Sequence, residues 1–169
     1  PLSATYAASG HKIRKPRRLT AGDTVGLIAP ASNVSENETI RFAGDVIRSL
    51  GFSVKEGEHL YHRNQYLAGS DKDRAEDVNR MFGDDEVDAI FCIRGGYGTP
   101  RILPYLDYDL IANNPKVFLG FSDNTAILAA MHVKSGLVGF HGINAGQNFS
   151  DYTLAEFKKV LMNPSPTTF

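Results

Sequence analysis

Thr24-Val25-Gly26-Leu27-Ile28-Ala29-Pro30 is a short apolar run between the turn pair Gly22-Asp23 and a proline. It predicts a buried strand. The residues after it change period. Ser32 to Glu38 is rich in helix-capping types, and Ile40, Ala43, Val46, Ile47 and Leu50 follow at helical spacing up to Gly51. That is an amphipathic helix with a glycine stop. Phe52-Ser53-Val54-Lys55 then predicts a second, weaker strand. A strand, a helix and a strand in such short succession make a parallel βαβ unit.

The same alternation continues outward. His59 to Ser70 is polar loop, and a helix starts at Asp71 with Ala75, Val78, Met81 and Phe82 on one face, ending at Gly83. Its charged residues Asp73, Arg74, Glu76 and Asp77 read as a solvated face. Val87 to Ile93 is a third strand, halted by Arg94-Gly95-Gly96-Tyr97-Gly98. A helix or turn pair covers about 99–113. Lys116-Val117-Phe118-Leu119-Gly120 is a fourth strand, Thr125 to Lys134 a helix stopped by Gly136, Leu137 to Phe140 a fifth strand, and Leu154 to Leu161 a last helix. The expected fold is α/β: one open parallel sheet with helices on both faces, over residues 16–150. In such sheets a ligand sits outside the carboxyl ends of the strands. The segments to examine are therefore Pro30-Ala31-Ser32, Arg94 to Gly98, Phe121 to Asn124, and His141-Gly142.

Composition narrows the function classes. The 169 residues are 42 % hydrophobic and 22 % charged with net charge −1, ordinary globular values. Five basic residues, Lys12, Arg14, Lys15, Arg17 and Arg18, lie in residues 1–18, which hold no acidic residue. The rest of the chain is mildly acidic, so nothing marks a nucleic-acid surface. No apolar run is long enough for a membrane span. The single cysteine, Cys92, can form neither an internal disulfide nor a multi-cysteine zinc site. Residues 1–15 read as a signal remnant or a disordered arm, with small apolar residues 1–10 resembling the end of an export signal. Residues 151–169 read as a terminal helix followed by a Pro-rich linker, Asn163 to Phe169, which suggests a further domain downstream.

The strongest chemical motif is Leu119-Gly120-Phe121-Ser122-Asp123-Asn124-Thr125, between a strand and a helix. A serine on a tight strand-to-helix turn exposes its hydroxyl. The next backbone N–H, at a helix N-terminus, can stabilise a developing oxyanion. The second glycine of the usual hydrolase elbow is absent, and Ser122 or Asp123 also reads as a simple cap for the following helix. The glycines of Arg94-Gly95-Gly96-Tyr97-Gly98 allow close approach of backbone N–H groups to an anion or carbonyl oxygen, or form a plain turn. Arg94 could hold a carboxylate through its planar fork. Cys92 lies inside an apolar run and reads as a buried thiol in preference to a nucleophile. His141 could reach Ser122 as a base, or be a satisfied strand-end histidine. His59 and His62 form His-x-x-His in a loop with no third ligand in view, so no metal is expected.

Taken together, the motifs resemble the N-terminal domain of the LD-carboxypeptidase family, serine peptidases that include muramoyltetrapeptide carboxypeptidases and microcin C self-immunity peptidases. The matching stretches are Gly22 to Ser32, Leu67 to Asp71 with Arg74 to Asp77, Met81-Phe82, Ala89 to Gly98, Leu106-Asp107-Tyr108, Asn114-Pro115-Lys116, Gly120 to Asp123 and Phe140-His141-Gly142. They span about residues 19–149. The resemblance implies a Rossmann or flavodoxin-like, class I amidotransferase-like sheet. It implies Ser122 as the nucleophile of a Ser–His–Glu triad, whose Glu and His lie on a C-terminal domain outside this chain. It implies an oxyanion hole from Asp123 with Gly95 or Gly96, and it demotes His141 as the base; Arg94, Tyr97 and His141 are the expected substrate-binding residues. It further implies release of terminal D-alanine from a murein tetrapeptide, no metal or organic cofactor, and a homodimer as an available assembly. With the base elsewhere, the 169 residues alone are expected to be nearly inactive. The resemblance implies a cytoplasmic site of action, whereas residues 1–10 suggest export. Three other readings stand beside this one: a non-catalytic muropeptide-binding module, a peptidase for a microcin C-like peptidyl-nucleotide, and a cysteine amidotransferase-like enzyme using Cys92.

Overall fold

The apolar runs become strands that pair in parallel. A computed structural model describes residues 12–164, with β1 at Thr24–Ile28, β2 at Ser53–Glu56, β3 at Ala89–Cys92, β4 at Val117–Gly120 and β5 at Phe140–His141. The export-signal reading of residues 1–10 and the end of the Pro-rich tail, 165–169, lie outside the described residues. All neighbouring strands are parallel in the order β2-β1-β3-β4-β5. The helices are α1 (Asn37–Ser49), α2 (Asp71–Gly83), α3 (Thr99–Ile102), α4 (Tyr108–Asn113), α5 (Thr125–Ser135) and α6 (Asp151–Phe157). Two tight turns, Leu103–Tyr105 and Ser122–Asn124, follow α3 and precede α5, and a wide turn, Lys158–Met162, extends α6.

The strand period of 2 divides the core in two. Val25, Leu27, Ala89, Phe91, Val117 and Leu119 face one side, with Ile40, Ala43 and Ile47 of α1 and with Phe157. Ile28, Ile90, Cys92 and Phe118 face the other, with α2 and α5. Phe157 meets Phe52, Phe91 and Phe149 edge to face, and Phe82 stacks on Phe118 at 6.1 Å. Both sheet faces are thus covered, which is why these strands are apolar on both sides.

Four expectations need correction. The fifth strand is Phe140–His141, because Leu137 and Val138 pair with Arg14 instead: the Val138 N–H donates to the Arg14 carbonyl at 2.9 Å. Arg14 also donates to Ser135 and Gly136 carbonyls, so the packed chain begins ahead of residue 16. The last helix starts at Asp151 because the Ser150 hydroxyl caps it, accepting from the Thr153 N–H. Finally, the polar residues of α2 are not all solvated. Arg74 and Asp77 are only 1 % and 3 % exposed. Among the described residues, no helix is long and apolar enough to cross a membrane.

The chain order decides where a site can form. After β1 the chain goes outward to β2, then returns to the other side of β1 for β3 and onward. The sheet's switch point therefore lies between the carboxyl ends of β1 and β3, where a crevice opens.

Candidate active site

Ser122 follows the extended residue Phe121 and turns the chain at a positive φ of 63°. An L-residue other than Asn or Asp seldom occupies this region, and the cost is of order 1–3 kcal/mol. The surroundings hold the turn. Buried Asn124 donates from its amide to the Arg94 carbonyl at 3.1 Å, the Phe121 carbonyl at 3.2 Å and Asn144 Oδ1 at 3.2 Å. Asn144 Oδ1 also accepts the Phe121 N–H at 2.9 Å. Gly120 is required immediately before the bend, since a Cβ there would sit 2.8 Å from that of Asn124.

Ser122 is exposed, and its hydroxyl has no hydrogen-bond partner among the described residues. The capping alternative fails on geometry. No side-chain capping bond is made at the start of α5, and the Asp123 carboxylate accepts the Thr99 N–H at 2.8 Å instead. The Thr99 hydroxyl donates to the Asp123 carbonyl, so Asp123 is tied to the glycine loop from both its ends. Gly95 lies directly against the bend: a Cβ on it would be 2.9 Å from the Phe121 oxygen and from Ser122 Cβ, and 3.3 Å from the Asp123 nitrogen. The structure therefore brings Ser122, the Asp123 amide and Gly95 together. The Gly95 and Gly96 N–H groups have no partner among the described residues.

Around this centre, the Tyr97 N–H donates to the Ser32 hydroxyl at 3.0 Å, joining the loops after β1 and β3. Arg94 is exposed and donates one nitrogen to the Asn33 carbonyl at 3.0 Å. Tyr97 and Tyr66 are both exposed and meet edge to face at 5.9 Å. Arg94 also borders a cleft of about 210 Å³ with Thr39 and Gln147. A wider cleft, about 710 Å³, lies between α2 and α4 and shares no residue with the bend.

His141 is not joined to Ser122 by any hydrogen bond; its ring lies 5.0 Å from that of Phe121. Cys92 is fully buried and desolvation pushes its thiol far up, so a thiolate does not form and the cysteine-enzyme reading loses its nucleophile. The sequence reading missed the supports. Asn124 and Asn144 are buried polar residues that could not be told from loop or helix polar residues. Arg74 donates to the Pro30 carbonyl at 2.6 Å and the Gly98 carbonyl at 3.1 Å, and pairs with Asp71. Burial lowers its pKa, against the nearby Asp71. One side chain thus ties the end of β1 to the glycine loop.

His59 and His62 do acquire a third neighbour. Asp73, on the first turn of α2, puts a carboxylate oxygen beside a ring nitrogen of each.

The same sheet and connections recur in known proteins. A family model described as the LD-carboxypeptidase N-terminal domain matches residues 25–142. A probable murein peptide carboxypeptidase of Bacillus subtilis is 46 % identical over 128 residues, 76 % of this chain and 40 % of the relative. The microcin C7 self-immunity protein MccF of Escherichia coli is 33 % identical over 152 residues, 85 % of this chain and 44 % of the relative. The crystal structure of an MccF-like protein from Bacillus anthracis superposes with a TM-score of 0.83 at 34 % identity, covering 88 % of this chain and 47 % of that one. The chain spans less than half the length of these relatives.

Proposed function

The chain belongs to the LD-carboxypeptidase family, and from that premise we propose that Ser122 is the nucleophile of a serine carboxypeptidase acting on murein peptides. The observation that carries the reading is the bend at Ser122: an exposed hydroxyl at positive φ, with the Asp123 and Gly95 backbone packed against it.

The chemistry follows from that geometry. The Ser122 oxygen attacks the carbonyl carbon of the amide preceding the terminal D-residue. The carbonyl oxygen takes the negative charge and is held by the N–H groups of Asp123 and of Gly95 or Gly96. Each such donor is worth about 10²–10³ in turnover. The C–N bond then breaks, D-alanine leaves with a proton on its nitrogen, and water hydrolyses the acyl-serine. A serine hydroxyl is a weak nucleophile and needs a base in reach. Among the described residues no histidine or carboxylate bonds to it, and the chain covers only 40 % of the B. subtilis relative, so the proton acceptor is assigned to a segment beyond these 169 residues.

Arg94, whose Nη2 makes no hydrogen bond among the described residues while Nη1 is held by the Asn33 carbonyl, suits the substrate's terminal carboxylate. Tyr97 offers an aromatic wall. The B. subtilis relative's name supports a murein peptide as substrate. The likeness to MccF over 85 % of the chain favours a peptidyl-nucleotide as the second choice.

The test is D-alanine release from a murein tetrapeptide by the native-length protein. Ser122→Ala should lower turnover by about 10⁴–10⁶. Muropeptide binding without turnover, unchanged by Ser122→Ala, would replace the enzyme with a binding module. Vigorous cleavage by the 169-residue chain alone would refute the external base.

A further inference from the structure

A second constellation lies away from the serine bend, where the loop after β2 meets the first turn of α2. One ring nitrogen of His59, one of His62 and a carboxylate oxygen of Asp73 all lie within 4.8 Å of one another. Several features make this more than chance proximity. The Asp77 carboxylate, 3 % exposed, accepts the His59 backbone N–H at 3.1 Å and sits 2.9 Å from His59 Nδ1. A carboxylate already accepting there calls for a proton on Nδ1, which leaves the Nε2 lone pair of His59 free for a ligand. A carboxylate behind a ligating histidine is the usual support in metal sites, fixing tautomer and ring orientation. The two imidazoles meet edge to face at 4.9 Å, so His62 is held beside His59. Asp73 is fixed as well: one oxygen accepts the Ser70 N–H at 2.8 Å in the capping box of α2, and the other makes no hydrogen bond among the described residues. Gly69 permits the approach, since a Cβ there would lie 3.0 Å from Asp73 Oδ2 and 3.5 Å from His62 Cβ.

We propose that His59, His62 and Asp73 bind one divalent transition-metal ion of the zinc type, with Asp77 as the positioning residue for His59. Two imidazoles and a carboxylate are a donor set suited to Zn²⁺, with a fourth position open to water. Bonds of about 2.0–2.2 Å place tetrahedral ligand atoms roughly 3.3–3.6 Å apart, so closure needs a movement of about 1 Å. The exposed His62 side chain can make it. The ion ties the loop carrying His59 and His62 to the turn that carries Asp71 and Arg74, and hence to the Pro30 and Gly98 carbonyls. Its role is structural, and it stands whether or not Ser122 is the nucleophile.

Zn²⁺ titration of the 169-residue chain against a chromophoric chelator tests the proposal, with Co²⁺ visible absorption reporting coordination. One equivalent should bind, and the thermal midpoint should rise with Zn²⁺. His62→Ala and Asp73→Asn should each weaken binding at least about 10-fold; the asparagine keeps an acceptor for the Ser70 cap. Asp77→Asn, checked for folding by circular dichroism, should lower affinity by about 10–100-fold. His132→Ala, on α5, should change nothing. Absence of saturable binding at tens of micromolar Zn²⁺, or binding indifferent to His62→Ala and Asp73→Asn, would overturn the site.

Discussion

Arg74→Met should destabilise this protein more than its place on a charged helix suggests. The Arg74 side chain is fully buried and pairs with Asp71, and it carries the donors for the Pro30 and Gly98 carbonyls. Methionine keeps the apolar stem and removes all of these donors. Each buried carbonyl left unsatisfied costs about 1–3 kcal/mol, and breaking a buried ion pair costs about 3–5 kcal/mol. Two features moderate the loss. Arg74 Nε is itself buried without a partner, so its removal relieves one cost. Asp71 retains Arg101 at 2.9 Å. The expected destabilisation is therefore below the simple sum of these costs, about 3 kcal/mol. With a urea m-value of about 2 kcal/mol/M, the midpoint falls by about 1.5 M. Equilibrium urea unfolding followed by circular dichroism measures it. Arg101→Ala is the control: it removes a half-exposed ion pair worth under about 1 kcal/mol, or less than about 0.5 M. A midpoint for Arg74→Met within about 0.3 M of wild type would refute the claim that this guanidinium joins the β1 end to the glycine loop.

Further outcomes follow from the same geometry. Gly95→Ala forces a methyl to within 2.9 Å of Ser122 Cβ and should lower turnover of the full-length protein about 100-fold with the fold retained, checked by kinetics and thermal melting. Iodoacetamide should leave Cys92 unmodified in the native chain and label it in urea; stoichiometric native labelling would contradict its burial. The Lys55 hydrogen bond holds the Asp84 pKa below its ordinary 3.8, so this carboxylate stabilises the fold above that pH and loses the effect as pH falls through its folded value. Asp84→Asn should accordingly flatten part of the acid limb when urea midpoints are compared between about pH 5 and pH 2.5.

Much of the fold was legible because buried parallel strands must be apolar on both faces. Val25 to Ile28, Ala89 to Cys92 and Val117 to Leu119 carry that pattern without interruption, and Ile40, Ala43 and Ile47 mark the covering helix. The serine bend was legible too, since Gly120 and Ser122 flank the switch from strand to helix. What failed was whatever depended on a distant partner. Arg74 and Asp77 have the polarity of a solvated face, and only their contacts with Pro30, Gly98 and His59 reveal burial. Leu137 and Val138 have strand composition, yet Arg14 competes for their backbone. Asn124 and Asn144 lie 20 residues apart, so their hydrogen bond under the bend leaves no local signature. Asp73 likewise joins His59 and His62 only after α2 folds back on the preceding loop.

The site of covalent capture by a fluorophosphonate tests the account most directly. On the full-length protein, tandem mass spectrometry should find the phosphonyl group on Ser122, and Ser122→Ala should abolish labelling. Labelling that persists in that variant, or an adduct on another side chain, would contradict the assignment of the nucleophile.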